Sequence, residues 1–221
     1  MIGTKVLEEK NSKFNGNLCV VKTLGMGTYI QAGGLTQSGG IVESIWKQTL
    51  RHLNNKKIFT ESESTKPLIM NNCLILGLGG GTVAKLIRKN WPEASLTGVE
   101  IDPVMVELGK KYLGLDRLNT DIKITDAARY IKNDTLNTKY DLIIVDLYRG
   151  DKFPERFETE DYTRLIGNKL SKSGVAVFNR LYYGDKRPEA VKFGRKLEKI
   201  FSEVAWFYPE ANLMFLCSNR A

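Results

Sequence analysis

The sequence lacks the residues from which most metal and disulfide sites are built. It contains one histidine and three cysteines in 221 residues. Cys19, Cys73 and Cys217 each stand alone in an apolar, strand-like stretch, without the paired spacing of a zinc ligand set. We therefore expect reduced cysteines in the core, no metal site, and a surface position for His52 on the polar end of a helix.

Long apolar runs are also absent. Runs such as LIIV and CLIL fall far short of the ~20 residues that a membrane-spanning helix needs, and the opening MIGTKVLEEKNSKF holds no apolar signal region. We expect a chain that resides in the cytoplasm and makes no contact with a membrane. With 42% apolar residues, it can bury the core of one medium-sized domain with a small appendage.

The formal charge of +8 raises the question of nucleic acid as a partner. Lysines and arginines are spread along the chain and interleaved with acids, as in ERFETEDYTR and RKLEKIFSE. No aromatic-rich basic block, zinc spacing or low-complexity tail accompanies them. This pattern is typical of solvated helix faces and argues against a dedicated nucleic-acid surface.

Two patterns follow each other along the chain. Up to about residue 37, apolar and polar residues alternate between glycine turns, as in NLCVVKTL, which predicts β-strands. GGIVESIWKQTLRHLN then places Ile41, Ile45 and Leu50 on one side of a predicted helix. We expect a small β-rich domain with a helix over residues 1–54, a polar linker over residues 55–67, and a larger domain over residues 68–221.

After the linker, strand and helix patterns alternate, beginning with CLILG, TVAKLIRKNW, SLTGVEI and PVMVELGKKYL. Such alternation predicts an α/β fold, in which helices cover both faces of a parallel sheet. The last two strand patterns, SEVAWFY and NLMFLCS, are joined by PEA and predict a β-hairpin. A last antiparallel strand separates many methyl-transfer sheets from dinucleotide-binding ones, so we expect a Rossmann-like sheet of the methyltransferase type.

Gly77, Gly79 and Gly81 lie directly after the first strand of the larger domain and directly before a helix. A β-carbon there would block the close approach of a ligand, and the helix N-terminus leaves amide donors free. The same glycines can instead build a tight strand-to-helix turn, so by themselves they leave both interpretations open.

Acids close the next three strands of the predicted sheet. Glu100 follows Gly77 by 23 residues, and Asp126 and Asp146 end the third and fourth strands. Ligands of open parallel sheets bind at the carboxyl edge, where an acid such as Glu100 can accept both hydroxyls of a ribose. Each acid could instead cap the next helix, which suits Asp126 in front of AARY.

The segments LILGLGGGT, VEIDPVMVELGKKYL, ITDAARYI and YDLIIVDLY resemble the spermidine synthase-like branch of the transferases that use S-adenosylmethionine (AdoMet). Gly34, Gln37, Glu43 and Trp46 also fall at the spacing of that family's Asp-Gly-x-x-Gln and Glu-x-x-Tyr-His-Glu. The resemblance implies AdoMet or decarboxylated AdoMet as cofactor, with Glu100 on the ribose and Asp126 near the adenine. The nucleoside-binding set that the pattern and the resemblance indicate together is Gln37, Gly77, Gly79, Gly80, Gly81, Glu100, Ile101, Asp126, Ala127 and Asp146.

The departures from the family pattern all remove groups that would hold a polyamine. Gly80 stands where aminopropyltransferases have the Asp of their glycine loop, and Gly33 replaces the Asp before Gly34. Arg149 replaces the second Asp of the family's Asp-Ser-Ser/Thr-Asp-Pro, and Tyr-His-Glu has become Trp46, Lys47 and Gln48. A polycationic acceptor needs carboxylates, and its attacking nitrogen must be neutral. We therefore predict that the chain does not make spermidine.

Methyl transfer from AdoMet is an in-line displacement that needs an aligned acceptor and no metal. Our catalytic candidates are Asp146, Tyr148 and Arg149, with Asn179, Tyr182 and Gln37 also on the acceptor side. Residues 147–160 form the predicted lid, and we expect its bases to be matched within the loop by its acids: Arg149, Lys152 and Arg156 by Asp151, Glu155 and Glu158.

Three hypotheses about function remain open at this point. The first is a methyltransferase-like enzyme, the second a non-catalytic nucleoside-binding protein, and the third an aminopropyltransferase with an unusual acceptor site. The expected partner is a small-molecule acceptor, and a homodimer is left open. A fold by itself does not identify the acceptor.

Overall fold

The structure is a computed structural model that describes residues 3–54, 68–133 and 138–219. The predicted linker over residues 55–67 lies outside the described residues. The division of the chain at residues 54 and 68 therefore stays a prediction.

A small antiparallel sheet comes first in the chain. Its strands run in the order β1 (Thr4–Ser12), β2 (Gly16–Thr23), β3 (Gly27–Ala32) and β4 (Leu35–Gly39). Gly33 and Gly34 join β3 to β4 with φ of 56° and 79°. A two-residue hairpin turn of this kind needs two left-handed residues, which is why glycine occupies both positions.

The larger sheet has seven strands within the described part of the chain. They are β5 (Asn72–Leu76), β6 (Ser95–Glu100), β7 (Asp121–Ile124), β8 (Tyr140–Val145), β9 (Leu170–Leu181), β10 (Glu203–Phe207) and β11 (Asn212–Ser218). Their order in the sheet is β10-β11-β9-β8-β5-β6-β7. The five strands from β9 to β7 in this order are parallel, while β11 runs antiparallel to both β9 and β10, so the predicted fold class and the antiparallel last strand are confirmed.

Helices cover both faces of this sheet. They are α1 (Gly40–Leu53), α2 (Thr82–Asn90), α3 (Pro103–Leu113), α4 (Ala127–Asn133), α5 (Glu160–Lys169) and α6 (Lys186–Leu197). Alternate residues of β5 point to opposite sides: Ile75 packs with α1 and α2, whereas Leu74 and Leu76 pack with α4, α5 and α6. Two apolar cores therefore lie on either side of one sheet.

Apolar packing joins residues 3–54 to the larger domain at two places. Trp46 and Leu50 of α1 are buried in the core on one face of that sheet. Ile30 of the small sheet packs with Met105 and Leu108 of α3 in a third apolar cluster. The helix that follows the small sheet is thus part of the larger core.

The structure shows where the histidine and the three cysteines lie. His52 is half-buried rather than on the surface, because its ring stacks on Phe207 with centroids 4.1 Å apart. The three cysteines are free, and Cys73 and Cys217 are buried. Among the described residues, no helix has both the length and the apolarity to cross a membrane. The same residues contain no group of three His, Cys, Asp or Glu arranged to hold a metal ion.

Candidate functional site

A cavity of about 540 Å³ opens at the carboxyl edge of the larger sheet, beside β4 and α1. The predicted residues that line it are Gln37, Gly77, Gly79, Glu100, Ile101, Asp126, Ala127, Asp146, Tyr148, Arg149 and Asn179. Gly80, Gly81 and Tyr182 do not line it. The cavity lies where parallel sheets bind ligands and has the size of a small-molecule site.

The glycine loop between β5 and α2 is shaped mainly by contacts within the protein. Gly77 has φ 91°, and a β-carbon there would lie 2.1 Å from the backbone oxygen of Asp146. At Gly79, with φ 57°, a β-carbon would lie 2.8 Å from Ser38 Oγ. Both residues line the cavity, but neighbouring protein atoms by themselves require glycine at these positions.

Gly80 and Gly81 pack against the protein interior and do not line the cavity, and their contact with a ligand stays a prediction. A β-carbon at Gly80 would meet Ile30 and Leu113 at 2.9 Å, and one at Gly81 would meet Leu115 at 2.7 Å. The two glycines let the small sheet and α3 pack closely against the loop. The interpretation as a tight turn holds for this half of the loop.

Glu100 holds the glycine loop in place. Its Oε2 accepts a hydrogen bond from Gly79 N at 2.8 Å, and its Oε1 accepts from Ile101 N at 2.8 Å and Asp102 N at 3.0 Å. Burial raises the pKa of this carboxyl, while the three backbone donors act in the opposite direction. A carboxylate offers about four acceptor positions, so one of them remains for a ligand hydroxyl.

Asp126 performs the capping role that the sequence left open and also pairs with the predicted lid. Its Oδ1 accepts from Arg129 N at 3.0 Å in the first turn of α4. Its Oδ2 accepts from Arg156 Nη2 at 2.6 Å. Arg156 is exposed, so a ligand amino group can compete with it for Asp126.

Asp146 lies at the centre of a hydrogen-bond network. Its Oδ2 accepts from Trp46 Nε1 at 3.0 Å, and its Oδ1 accepts from Asn179 Nδ2 at 2.8 Å. Asn212 Nδ2 in turn donates to Asn179 Oδ1 at 2.7 Å. Burial raises the pKa of Asp146, and the hydrogen bonds from Asn179 and Trp46 oppose that rise.

Tyr148 lines the cavity, and its hydroxyl is hydrogen-bonded to the protein backbone. Its hydroxyl donates to the backbone oxygen of Asn179 at 3.3 Å and accepts from Leu181 N at 2.7 Å. Burial raises the pKa of this phenol far above its usual value. A hydroxyl that is hydrogen-bonded on both sides has little freedom to exchange a proton with a ligand, and a catalytic role for Tyr148 stays a prediction.

The charges of residues 147–160 are not matched within the loop, which corrects the sequence-based expectation. Glu158 pairs with the buried Arg180 of β9, and Asp151 pairs with Lys186 of α6 at 3.3 Å. Arg156 pairs with Asp126, which lies outside the loop. Arg149 and Lys152 have no ion-pair partner among the described residues. Arg149 is exposed and lines the cavity.

Sequence reasoning missed three contributors to the site. Trp46 was noted only for its place in the family pattern, yet its indole donates to Asp146. Ser38 Oγ accepts a hydrogen bond from Gly80 N at 2.7 Å, which ties β4 to the glycine loop. Glu210, in the loop before β11, lines the cavity as an exposed acid, and its φ of 53° is a feature that only the structure reveals.

The arrangement can bind a ligand that has hydroxyls at one end and a positive charge near the other. Glu100 and Asp126 lie after neighbouring strands, and Asp146 follows β8 on the other side of β5. Protein N–H groups hold the carboxylates of Glu100, Asp126 and Asp146 in place, so their orientation does not depend on a metal ion.

The comparisons with known proteins agree with this geometry. The model of the family described as "Spermine/spermidine synthase domain" matches residues 52–209. A polyamine aminopropyltransferase of Vibrio vulnificus is 38% identical over 108 residues, which cover 48% of this chain and 36% of that protein. The chain thus matches only about a third of that relative's length.

Two solved structures share the fold. Spermidine synthase from Thermotoga maritima superposes with a TM-score of 0.75 at 18% identity, covering 97% of this chain and 73% of that one. Human methyltransferase-like protein 13, solved in complex with SAH, gives a TM-score of 0.60 at 22% identity, with 79% of each chain covered. Because the family model spans most of the chain, this chain belongs to the spermine/spermidine synthase domain family.

Proposed function

We propose that the chain is an AdoMet-dependent transferase and that the group it transfers is a methyl rather than an aminopropyl group. The observation that carries the proposal is the surroundings of Asp146. Both oxygens of that carboxylate accept hydrogen bonds from Trp46 and Asn179, and the position three residues later holds Arg149. An attacking amine must lose its proton to a nearby base, and a second carboxylate is absent from this position.

The nucleoside end of the cavity supports AdoMet as the donor. Glu100 keeps one acceptor position for a ribose hydroxyl, and Asp126 can accept from an adenine amino group when Arg156 moves aside. A protein of the same fold is solved with SAH, the product that AdoMet leaves after methyl transfer.

Methyl transfer asks little chemistry of the protein. The sulfonium is already activated, so alignment of the acceptor and exclusion of water are the main tasks. Pro154, Arg156 and Phe157 of the predicted lid form part of the cavity wall and can exclude water there.

Aminopropyl transfer is the second candidate, and Glu210 is the observation that favours it. Its carboxylate accepts from Gln48 Nε2 at 3.1 Å at the exposed side of the cavity. There it could hold an ammonium group in place of the acids that are missing at Gly33, Gly80 and Arg149. A test of function must therefore separate the two donors.

Calorimetry with the purified chain separates the candidates. We expect AdoMet and adenosylhomocysteine to bind more tightly than decarboxylated AdoMet, because Arg149 can pair with the carboxylate that the decarboxylated form lacks. Arg149→Asp should narrow or reverse this preference. Lys152→Asp is the matched control, since it makes the same charge change at a residue that does not line the cavity.

Incubation with decarboxylated AdoMet and putrescine provides the opposing test. Spermidine in the product mixture would overturn methyl transfer and establish aminopropyl transfer. If AdoMet and decarboxylated AdoMet bind equally well and Arg149→Asp changes neither affinity, Arg149 does not select the donor. If none of the AdoMet-type ligands binds, the chain is not an AdoMet-dependent enzyme.

A further inference from the structure

Trp46 is the residue of α1 whose side chain donates a hydrogen bond to Asp146, the cavity-lining carboxylate after β8. Its side chain is fully buried, and its Nε1 lies 3.0 Å from Asp146 Oδ2. On the other oxygen, Asn179 donates at 2.8 Å, and Asn179 itself is oriented by Asn212. The hydrogen bonds of this network thus run in one direction, from Trp46 to Asp146 and from Asn212 through Asn179 to Asp146.

These donors share a chemical property. An indole N–H and a carboxamide N–H donate hydrogen bonds but cannot take up a proton near neutral pH. A proton received by Asp146 would therefore have no protein group among these partners to which it could pass. The same two bonds favour the ionised form of the carboxylate and fix the direction of its remaining lone pairs.

We propose that Trp46 is a positioning residue that holds Asp146 as a fixed anion for the positive group of the ligand, an ammonium or a sulfonium. Asp146 then binds charge and does not move a proton. The choice of ligand rests on the proposed function, whereas the pairing of Trp46 with Asp146 does not, and the two parts are tested separately.

Other charged or ionisable groups share the cavity wall with Asp146 and must be distinguished from it. They are Glu100 at the end of β6, Asp126 after β7, Tyr148 and Arg149 after β8, Arg156 in the predicted lid, Tyr183 after β9, and Glu210 before β11. None of these side chains is hydrogen-bonded to Trp46 in the described structure, so a signal from the indole N–H of Trp46 reports on Asp146.

The free protein allows a direct test by NMR of the indole N–H groups. The chain has three tryptophans, and each makes a different bond. Trp46 donates to Asp146, Trp91 to the backbone oxygen of Leu68, and Trp206 to the exposed Glu198. We expect Asp146→Asn to move the Trp46 signal and leave the Trp91 signal in place. A Trp46 signal that does not respond to Asp146→Asn would overturn the pairing.

Ligand binding tests the second part. Trp46→Phe keeps a large ring but removes the N–H, so AdoMet should bind roughly tenfold more weakly, as expected for one hydrogen bond to a charged group. Methylthioadenosine carries neither the ammonium nor the sulfonium, and its affinity should not change. Trp91→Phe is the control, because it removes a buried indole N–H far from the cavity.

The pH dependence of AdoMet binding provides a readout that a purely structural role would not move. Burial raises the pKa of Asp146, so affinity should fall on acidification at a higher pH than for an exposed aspartate, whose pKa is about 3.9. Removing a donor raises this pKa further, so Trp46→Phe should move the midpoint to a higher pH. An equal loss of AdoMet and methylthioadenosine binding with an unmoved midpoint would overturn the proposal. If the parent protein binds neither ligand, the ligand part is overturned while the NMR result still decides the pairing.

Discussion

At the scale of single residues, the glycine loop shows how one position can serve both the fold and the cavity. Gly77 lines the cavity, yet the backbone oxygen of Asp146 occupies the space where a β-carbon would be. A substitution that weakens ligand binding here would therefore not by itself demonstrate a ligand contact. To separate the loss of a ligand contact from a disturbed fold, Gly77 must be compared with a glycine that has a similar φ but open space where its β-carbon would lie.

Gly77→Ala and Gly114→Ala provide that comparison. Both glycines have positive φ, 91° and 74°, but no atom lies within 4 Å of a β-carbon at Gly114. We expect Gly114→Ala to lower the free energy of unfolding by about 1 to 2 kcal/mol, the cost of the left-handed conformation. Gly77→Ala should lose clearly more, because the clash forces Asp146 or the loop to move. Equal losses in urea unfolding would show that the loop relaxes freely.

At the scale of elements, the predicted lid is anchored by a residue outside it. Arg180 of β9 is buried, pairs with Glu158, and lies over the rings of Phe153 and Phe193, with its guanidinium carbon 4.4 and 4.9 Å from their centroids. The salt bridge and the ring contacts hold the end of residues 147–160 against the sheet. The carboxyl-terminal end of this segment is therefore anchored to β9.

A double-mutant cycle measures this anchor. Glu158→Gln leaves the guanidinium of Arg180 buried without its partner, and we expect a loss of ~3 kcal/mol in the free energy of unfolding. Arg180→Met in the same chain should recover part of that loss, because no unpaired charge remains. Additive effects of the two substitutions in denaturant unfolding would contradict a coupled pair.

Elements with local signals could be predicted from the sequence, and their tertiary partners could not. α3 begins at Pro103 after the capping Asp102 and ends before the left-handed Gly114, and all three signals are readable from the sequence. The partner of Glu158 lies 22 residues away, and the partner of Asp146 in α1 lies 100 residues away. No periodicity encodes such distances, so the pairing expected within the loop was wrong and Trp46 was overlooked.

At the scale of the whole molecule, the small sheet is held to the larger domain by apolar contacts and by surface ion pairs. Leu108 of α3 is fully buried against Leu18 and Ile30. On the surface of the same helix, Glu107 pairs with the partly exposed Lys10 at 2.5 Å. Exposed pairs of this kind contribute at most about 1 kcal/mol, so the apolar cluster should dominate the attachment.

Two neighbouring substitutions test this ranking. Leu108→Ala should cost about 2 to 4 kcal/mol through lost burial and the cavity it leaves. Glu107→Ala should change the free energy of unfolding by less than about 1 kcal/mol, and 1 M NaCl should remove most of that effect. A larger loss for Glu107→Ala than for Leu108→Ala would mean that charge, and not apolar packing, holds the small sheet in place.

The cavity wall draws on residues from Phe14 to Asn212, and this spread has a consequence for how the protein is made. At a synthesis rate of about 5 to 20 residues per second, roughly 10 to 40 seconds separate the emergence of these two residues from the ribosome. Trp46 is therefore synthesised well before Asp146, and Asn179 and Asn212 follow later still. A nascent chain has no complete site until the hairpin of β10 and β11 has joined the sheet, so a ligand can stabilise only those molecules in which this hairpin is in place.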